Sequence, residues 1–358
     1  MKRYLIQVML FVLAGLMLIC AASYVIDPYG IYMQQADFFP RKVAAADKGR
    51  TVKPYQSLNS APYTLLVGNS RVEIGMPIEH AFYQQKPVFN MGLPGANVAM
   101  QYDYALHVIN NSNTVRQVVI GLDFLDFSSS AGNVKTTIER NNWQWRLQGF
   151  ASEHSAAPRR YVAERISMLF SLTAITDSTS TIVSQKRNMN ALNKHGFNDG
   201  RLYHFHVRNE GYGALYQQKQ DELDARLSAM PQVFNAQSYQ IAELRQFIET
   251  LKQRNISTYL IINPYQKPYL DTLQRFGLND ALAAWKAQMA NIATQHNLAL
   301  YDFAIESAPV LNVVSAKSRS IDDSPYFWEP AHYKTQFGEQ ILNVLVSGKC
   351  AELCQQTQ

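Results

Sequence analysis

The junction between Tyr63-Thr64-Leu65-Leu66-Val67 and Gly68-Asn69-Ser70 constrains this chain more than any other stretch. A short, continuously apolar run marks a strand buried on both faces, as in a parallel sheet covered by helices on each side. Gly68 and Asn69 tolerate turn geometry and end the strand. Ser70 then stands just past the carboxyl end of a central parallel strand, where open α/β sheets place their ligands. A helix starting beyond it would turn free N–H groups and a positive dipole end toward an anion there. The same residues also make an ordinary turn, with Ser as a helix cap.

The rest of the chain repeats the strand-then-helix pattern. Lys86 to Met91 predicts a second strand, ending in Asn90-Met91-Gly92-Leu93-Pro94-Gly95-Ala96-Asn97. Two glycines and a proline make that stretch a tight loop whose backbone can approach a ligand closely. Asn97 caps a helix expected from Val98 to Asn110. Gln117 to Leu122 is a third strand, ending at Asp123-Phe124-Leu125-Asp126. Such alternation is the signature of a parallel sheet with crossovers. The pattern lapses from Ser128 to Met230, a polar stretch read as a long, mostly helical insertion over the carboxyl edge of the sheet. Trp143, Trp145, Tyr203, His204, His206 and Tyr212 stock it with flat and polar groups that suit a sugar or aromatic ligand and equally suit ordinary packing. His204 and His206 alternate as on a strand face, but without a third ligand they make no metal site. Alternation then resumes with a helix over Ser238 to Arg254, a strand over Ser257 to Ile262, a helix over Asp280 to His296, a strand over Leu298 to Phe303 and a final helix over Thr335 to Val346.

Composition excludes several classes. The 358 residues are 47% hydrophobic and 17% charged, as in a protein with a normal core. The net charge of +5 is mild, and no basic run is interleaved with aromatics, so nucleic acid is not expected as a partner. Lys2 and Arg3 precede an uncharged run from Tyr4 to Val25, long enough to cross a bilayer, which takes about 20 residues. The positive flank stays in the cytoplasm, which places everything after Asp27 outside a bacterial inner membrane, as a single-pass protein with a periplasmic domain. A cleaved signal peptide is the rival, with Ala21, Ala22 and Ser23 near a cut, but the run is long for one and no clear cleavage site is present. Cys350 and Cys354 are four apart, close enough to pair in an oxidising compartment, or are two free thiols on a frayed tail. The expected division is an anchor over 1–25, a juxtamembrane connector over 26–60, an α/β domain over 61–348 with its insertion at about 128–235, and a tail over 349–358.

The far end of the chain supplies a partner for Ser70. Phe327-Trp328-Glu329-Pro330-Ala331-His332-Tyr333 follows the last strand. Serine is a poor nucleophile until a base takes its proton, and the base works best when a third group orients it. Ser70 would attack, His332 would act as the base and Glu329 would orient the imidazole. Three residues apart, the last two can project from one turn or helical start, and Pro330 fits the first turn of such a segment. The backbone N–H groups of Ser70 and Gly95, with the Asn69 side chain, are candidate donors to a tetrahedral oxyanion. Arg71, Asn97, Asp123 and Tyr333 stand beside these residues in sequence and are the candidates for binding substrate.

On these residues the chain resembles the SGNH (GDSL-like) hydrolase superfamily. Gly68-Asn69-Ser70 is similar to its first block, Asn90-Met91-Gly92-Leu93-Pro94-Gly95 to its second and Glu329-Pro330-Ala331-His332 to its last. The resemblance spans Tyr63 to Val346, minus the insertion. It implies a flavodoxin-like three-layer α/β/α fold, with Ser70 as nucleophile, His332 as base and Gly95 as an oxyanion donor. It looks closest to the membrane-anchored branch similar to periplasmic proteins of polysaccharide O-acetylation, where the soluble domain works with a membrane-bound O-acyltransferase. Two departures stand out. Glu329 replaces the usual Asp, and Asp123 falls in the third block, which normally supplies an Asn to the oxyanion hole. The expected function is therefore serine-dependent hydrolysis or transfer of an acyl ester, O-acetyl first, on a cell-envelope glycan, with no metal or organic cofactor. The alternative is a catalytically silent module of the same fold that binds glycan or scaffolds an acyltransferase complex.

Overall fold

The computed structural model describes residues 1–32, 37–128, 133–148, 158–229 and 234–357. The remaining parts of the expected connector, insertion and tail, namely 33–36, 129–132, 149–157, 230–233 and residue 358, lie outside the described residues. In order, the elements are α1 (Lys2–Ile26), α2 (Val43–Asp47), α3 (Gly49–Ser60), β1 (Thr64–Gly68), α4 (Ser70–Gly75), β2 (Val88–Gly92), α5 (Val98–Asn111) and β3 (Gln117–Leu122). The insertion then carries α6 (Asn133–Gln148), α7 (Pro158–Leu169), α8 (Leu172–Val183), α9 (Arg201–Glu210) and α10 (Tyr212–Ala229). After it come α11 (Tyr239–Gln253), β4 (Ser257–Ile262), α12 (Lys267–Arg275), α13 (Asn279–Gln295), β5 (Leu300–Asp302), α14 (Ala308–Leu311), β6 (Phe327–Glu329), β7 (His332–Tyr333), α15 (Thr335–Ser347) and β8 (Gln355–Thr357).

The main sheet has the order β2-β1-β3-β4-β5-β8, with the first five strands parallel and β8 antiparallel at the edge. Because strand side chains alternate between faces, each central strand feeds two cores. Leu65 and Val67 of β1, Val118 and Ile120 of β3, and Leu260 and Ile262 of β4 pack with Tyr102 of α5, Phe247 of α11 and Trp285 of α13. Leu66, Val119 and Ile261 face the other way, onto Val72 of α4 and Phe337, Ile341 and Leu342 of α15. Each such side chain, fully buried, stabilises the fold by about 1.5–3 kcal/mol, which is why continuously apolar runs become central strands. Strand β1 has β2 on one side and β3 on the other, so the order reverses at β1 and opens a crevice beyond its carboxyl end.

Several segments differ from the sequence reading. The stretch read as a juxtamembrane connector folds as α2 and α3, and α3 packs against α5 and β2. Lys53 of α3 is fully buried, 2.8 Å from the Glu73 carboxylate, with Asn198 of the insertion donating to the other Glu73 oxygen. One ion pair thus ties α3 to α4 and both to the insertion. His204 and His206 lie on helix α9 rather than a strand. Local alternation misled there, because two residues at a spacing of two do not by themselves separate a strand from a helix. The tail is not free: Cys350 and Cys354 form a disulfide, and β8 pairs with β5. Helix α1 is 25 residues long, apolar enough to cross a membrane, and exposed from Met1 to Leu18.

Candidate active site

Ser70 is the first residue of α4, directly beyond β1. Asn69 caps that helix, its Oδ1 accepting from the Arg71 N–H at 2.9 Å. The helix can begin so close to the strand because neighbouring strand ends carry glycine. A Cβ at Gly92 would lie 2.4 Å from the Glu73 nitrogen, and one at Gly121 would lie 2.3 Å from a Val72 methyl. Those close approaches set the first turn of α4, and Ser70 with it, onto the crevice of the sheet.

Glu329 and His332 reach the same place from the other end of the chain. They do not sit on a helical start. A tight hairpin, β6 to β7 with Pro330-Ala331 as its turn, pairs Glu329 directly with His332. The His332 Nε2 lies 2.8 Å from the Ser70 Oγ. Its Nδ1 meets the Glu329 Oε1, and the Ala331 N–H donates to Glu329 Oε2 at 2.8 Å. Burial raises the Glu329 pKa, but the His332 charge, its hydrogen bond and that of Ala331 outweigh burial and leave the carboxyl below its ordinary value. Glu329 is wholly buried and His332 faces the crevice, the arrangement expected of an orienting acid and a reacting base. Tyr203, from α9, stacks on Trp328 and its ring centroid lies 6.2 Å from that of His332. It walls the imidazole from the insertion side.

Arg71 locks the two ends together. It pairs with Asp123 beyond β3, its Nε donates to the Ala331 carbonyl at 2.6 Å, and its guanidinium lies 4.8 and 5.0 Å from the Tyr265 and Tyr269 rings. The Asp123 carboxylate is thereby paired and buried beneath the guanidinium. Asp126, three residues on, was not singled out from the sequence as a site residue. It lines the crevice, and its Oδ2 accepts from Asn69 Nδ2 at 3.0 Å and from Gln101 Nε2 at 2.9 Å. Burial, then the nearby Asp123 charge, pushes the Asp126 carboxyl up to about 7, against the pull of Gln101, Arg226 and Arg71.

The other predicted residues divide. Gly95 lines the crevice with a positive φ of 63°, a loop conformation that suits glycine. Among the described residues, neither the Ser70 nor the Gly95 backbone N–H has a hydrogen-bond partner. Asn97 caps α5 through Met100 N–H and does not line the crevice. Asp123 is buried under Arg71 and does not line it either. Tyr333 cannot meet a substrate: it is fully buried beneath Gly75 and donates to Asn263 at 3.2 Å. Of the four candidates for substrate binding, only Arg71 borders the crevice, and it does so as a brace between loops.

The crevice is a cavity of about 220 Å³ roofed by α10 of the insertion, which contributes Lys219, Gln220, Glu222, Leu223 and Arg226. Gln220 donates to Asp224 at 2.9 Å, and Asp224 pairs with Arg275 of α12 at 2.6 Å, so the roof is fastened to the main domain. Among the described residues, no three His, Cys, Asp or Glu side chains are grouped to hold a metal ion. A hydroxyl, an imidazole and a buried carboxylate stand in line, beside two backbone donors free among the described residues. Compared with known proteins, the chain matches no family model and no curated sequence.

Proposed function

We propose that this protein is a membrane-anchored serine-dependent acyl-ester hydrolase or O-acyltransferase of SGNH type, acting on O-acyl groups, O-acetyl first, of a cell-envelope polysaccharide. One observation carries the reading: Ser70 and His332, 262 positions apart, meet at 2.8 Å with Glu329 on the far side of the imidazole. The strand order β2-β1-β3-β4-β5 supports the flavodoxin-like part of it, with the site at the reversal of order. Helix α1 supports anchoring in the bacterial inner membrane with the α/β domain in the periplasm. A membrane-bound O-acyltransferase is the partner that would load the acyl group in a transfer reaction.

In the proposed mechanism, His332 Nε2 takes the Ser70 proton as the Oγ attacks the ester carbonyl. The developing oxyanion accepts from the Ser70 and Gly95 N–H groups. Asn69 Nδ2, with one proton held by Asp126, offers its second. The imidazolium, stabilised by Glu329, then protonates the leaving alkoxide and leaves an acyl-serine. Water or a sugar hydroxyl, deprotonated by the same imidazole, releases the acyl group. With Asp123 held by Arg71, the third-block donor is missing, and one donor of this kind is worth about 3 kcal/mol in the transition state. Slow turnover is the expected consequence.

A fluorophosphonate probe tests the reading. Labelling of the intact protein but not of Ser70→Ala is expected. No labelling while a control esterase reacts would favour the silent glycan-binding or scaffolding module instead. Release of acetate from an aryl ester without glycan indicates a hydrolase, and release only with a glycan acceptor indicates a transferase.

A further inference from the structure

Helices α7 and α8 run on from each other with a bend of 55°, and the outer surface of this bent pair is unlike the rest of the insertion. Val162, Ile166 and Phe170 are exposed at a spacing of four, and Leu172, Ile175, Ile182 and Val183 continue the surface along α8. Leu172, at the bend, is 83% exposed. Between Ile166 and Gln185 the sole charged side chain is Asp177, and it points inward, accepting from the Tyr29 hydroxyl and pairing with Lys48. A helix facing water carries charges on its outer stripe; this one carries aliphatic groups and threonines.

The bent pair also lies against α1. Burial on α1 is confined to its last two turns, at Ile19, Cys20, Ser23 and Ile26, so the contact is at the end of the span next to the domain. Aromatic side chains gather at the same level: Tyr24 and Tyr32 lie 5.7 Å apart, and Tyr24 and Phe38 are exposed. Such residues favour the membrane–water interface. The pair is tied to the domain at two places, Glu164 by Arg146 at 3.0 Å and the Ser184 carbonyl by Arg41 at 2.8 Å.

We infer that the bent α7–α8 pair is a membrane wedge that sinks its aliphatic face into the outer leaflet beside α1. This rests on the membrane anchoring proposed above. The occupant is lipid because the aliphatic surface belongs to helices that pack against the apolar anchor itself. The wedge would enter to the depth typical of interfacial helices, about 5–10 Å. It seats the catalytic domain against the bilayer in one orientation, where a bare anchor would leave it free to tumble.

The test uses the full chain with its free thiol removed by Cys20→Ala, reconstituted in phosphatidylethanolamine–phosphatidylglycerol vesicles. Single nitroxides are placed through Leu172→Cys or Ile175→Cys, with Leu10→Cys in α1 as lipid reference and Lys252→Cys on α11 as water reference. Collision rates with oxygen and with a water-soluble nickel chelate are then compared. The oxygen-to-nickel ratio at 172 and 175 is expected within about twofold of the Leu10 label and at least about fivefold above the Lys252 label. Ratios equal to the Lys252 label, with the Leu10 label still in lipid, overturn the wedge and leave the anchor standing. Shielding from both reagents overturns it in favour of a protein partner. A water-exposed Leu10 label removes the anchoring reading and the wedge with it.

Discussion

Arg71, the residue after Ser70, is paired with Asp123 beyond the next strand, and among the described residues neither has a second salt-bridge partner. The same guanidinium holds the Ala331 carbonyl and through it the histidine hairpin. One side chain thus fixes the loop after β3 and the position of the imidazole together.

Arg71→Met should leave Asp123 buried and unpaired, at a cost of roughly 3–5 kcal/mol in denaturant unfolding. The double variant Arg71→Met, Asp123→Leu should recover most of that stability and little of the turnover, because the hairpin has lost its tether. Recovery of both would mean that Arg71 serves stability alone.

His332→Ala should lower turnover of an aryl acetate at least about 100-fold while melting remains cooperative. Glu329→Gln should lower it by about 10²- to 10⁴-fold, since the amide holds the wrong imidazole tautomer. Pre-steady-state release of the aryl alcohol separates the effects on acylation from those on deacylation. An unfolded His332→Ala protein would instead assign the residue to structure.

Asp126 makes the pH dependence specific. Its folded pKa, about 7, lies above the ordinary carboxyl value, so the folded state holds the proton more tightly. Its stabilising share is therefore complete below about pH 4 and is lost as pH rises toward and through about 7. Asp126→Asn should flatten stability over that range and raise it at pH 8. The same variant should remove a fall in activity above about pH 7, where a second negative charge would face the oxyanion. Melting temperatures and kcat/KM, measured from pH 4 to 9, check both limbs.

Lys53→Met should destabilise the protein by about 3–5 kcal/mol, because Glu73 then stays buried with its charge opposed only by Asn198. Adding Glu73→Gln should restore part of the loss. A change below about 1 kcal/mol would place the pair in the exposed class that contributes little.

How much of this was legible without coordinates follows from the range of each interaction. The strands around Leu66, Val119 and Ile261 were readable because burial on both faces demands unbroken apolar runs, a local property. Ser70, His332 and Glu329 could be named because their chemistry is scarce and their order follows the strands. Tyr333 and Asn97 were misassigned to substrate because adjacency in sequence says nothing about which way a side chain faces. Lys53, in a stretch that reads as a polar connector, gives no local sign that its charge is buried against Glu73. Tyr203 and the roof residues of α10 carry no spacing signal either, since they come from an insertion whose fold is set by packing, and Asp126, in the loop after β3, meets Asn69 and Gln101 only in the folded chain. By itself the sequence determined the alternation of the sheet, the apolar N-terminal helix and the identity of the serine, histidine and glutamate that meet at the crevice. Only the tertiary structure decided which loops meet at the sheet edge, that a hairpin rather than a helix presents the imidazole, and that Arg71 holds it there, because those depend on pairings across the whole chain that no local pattern encodes.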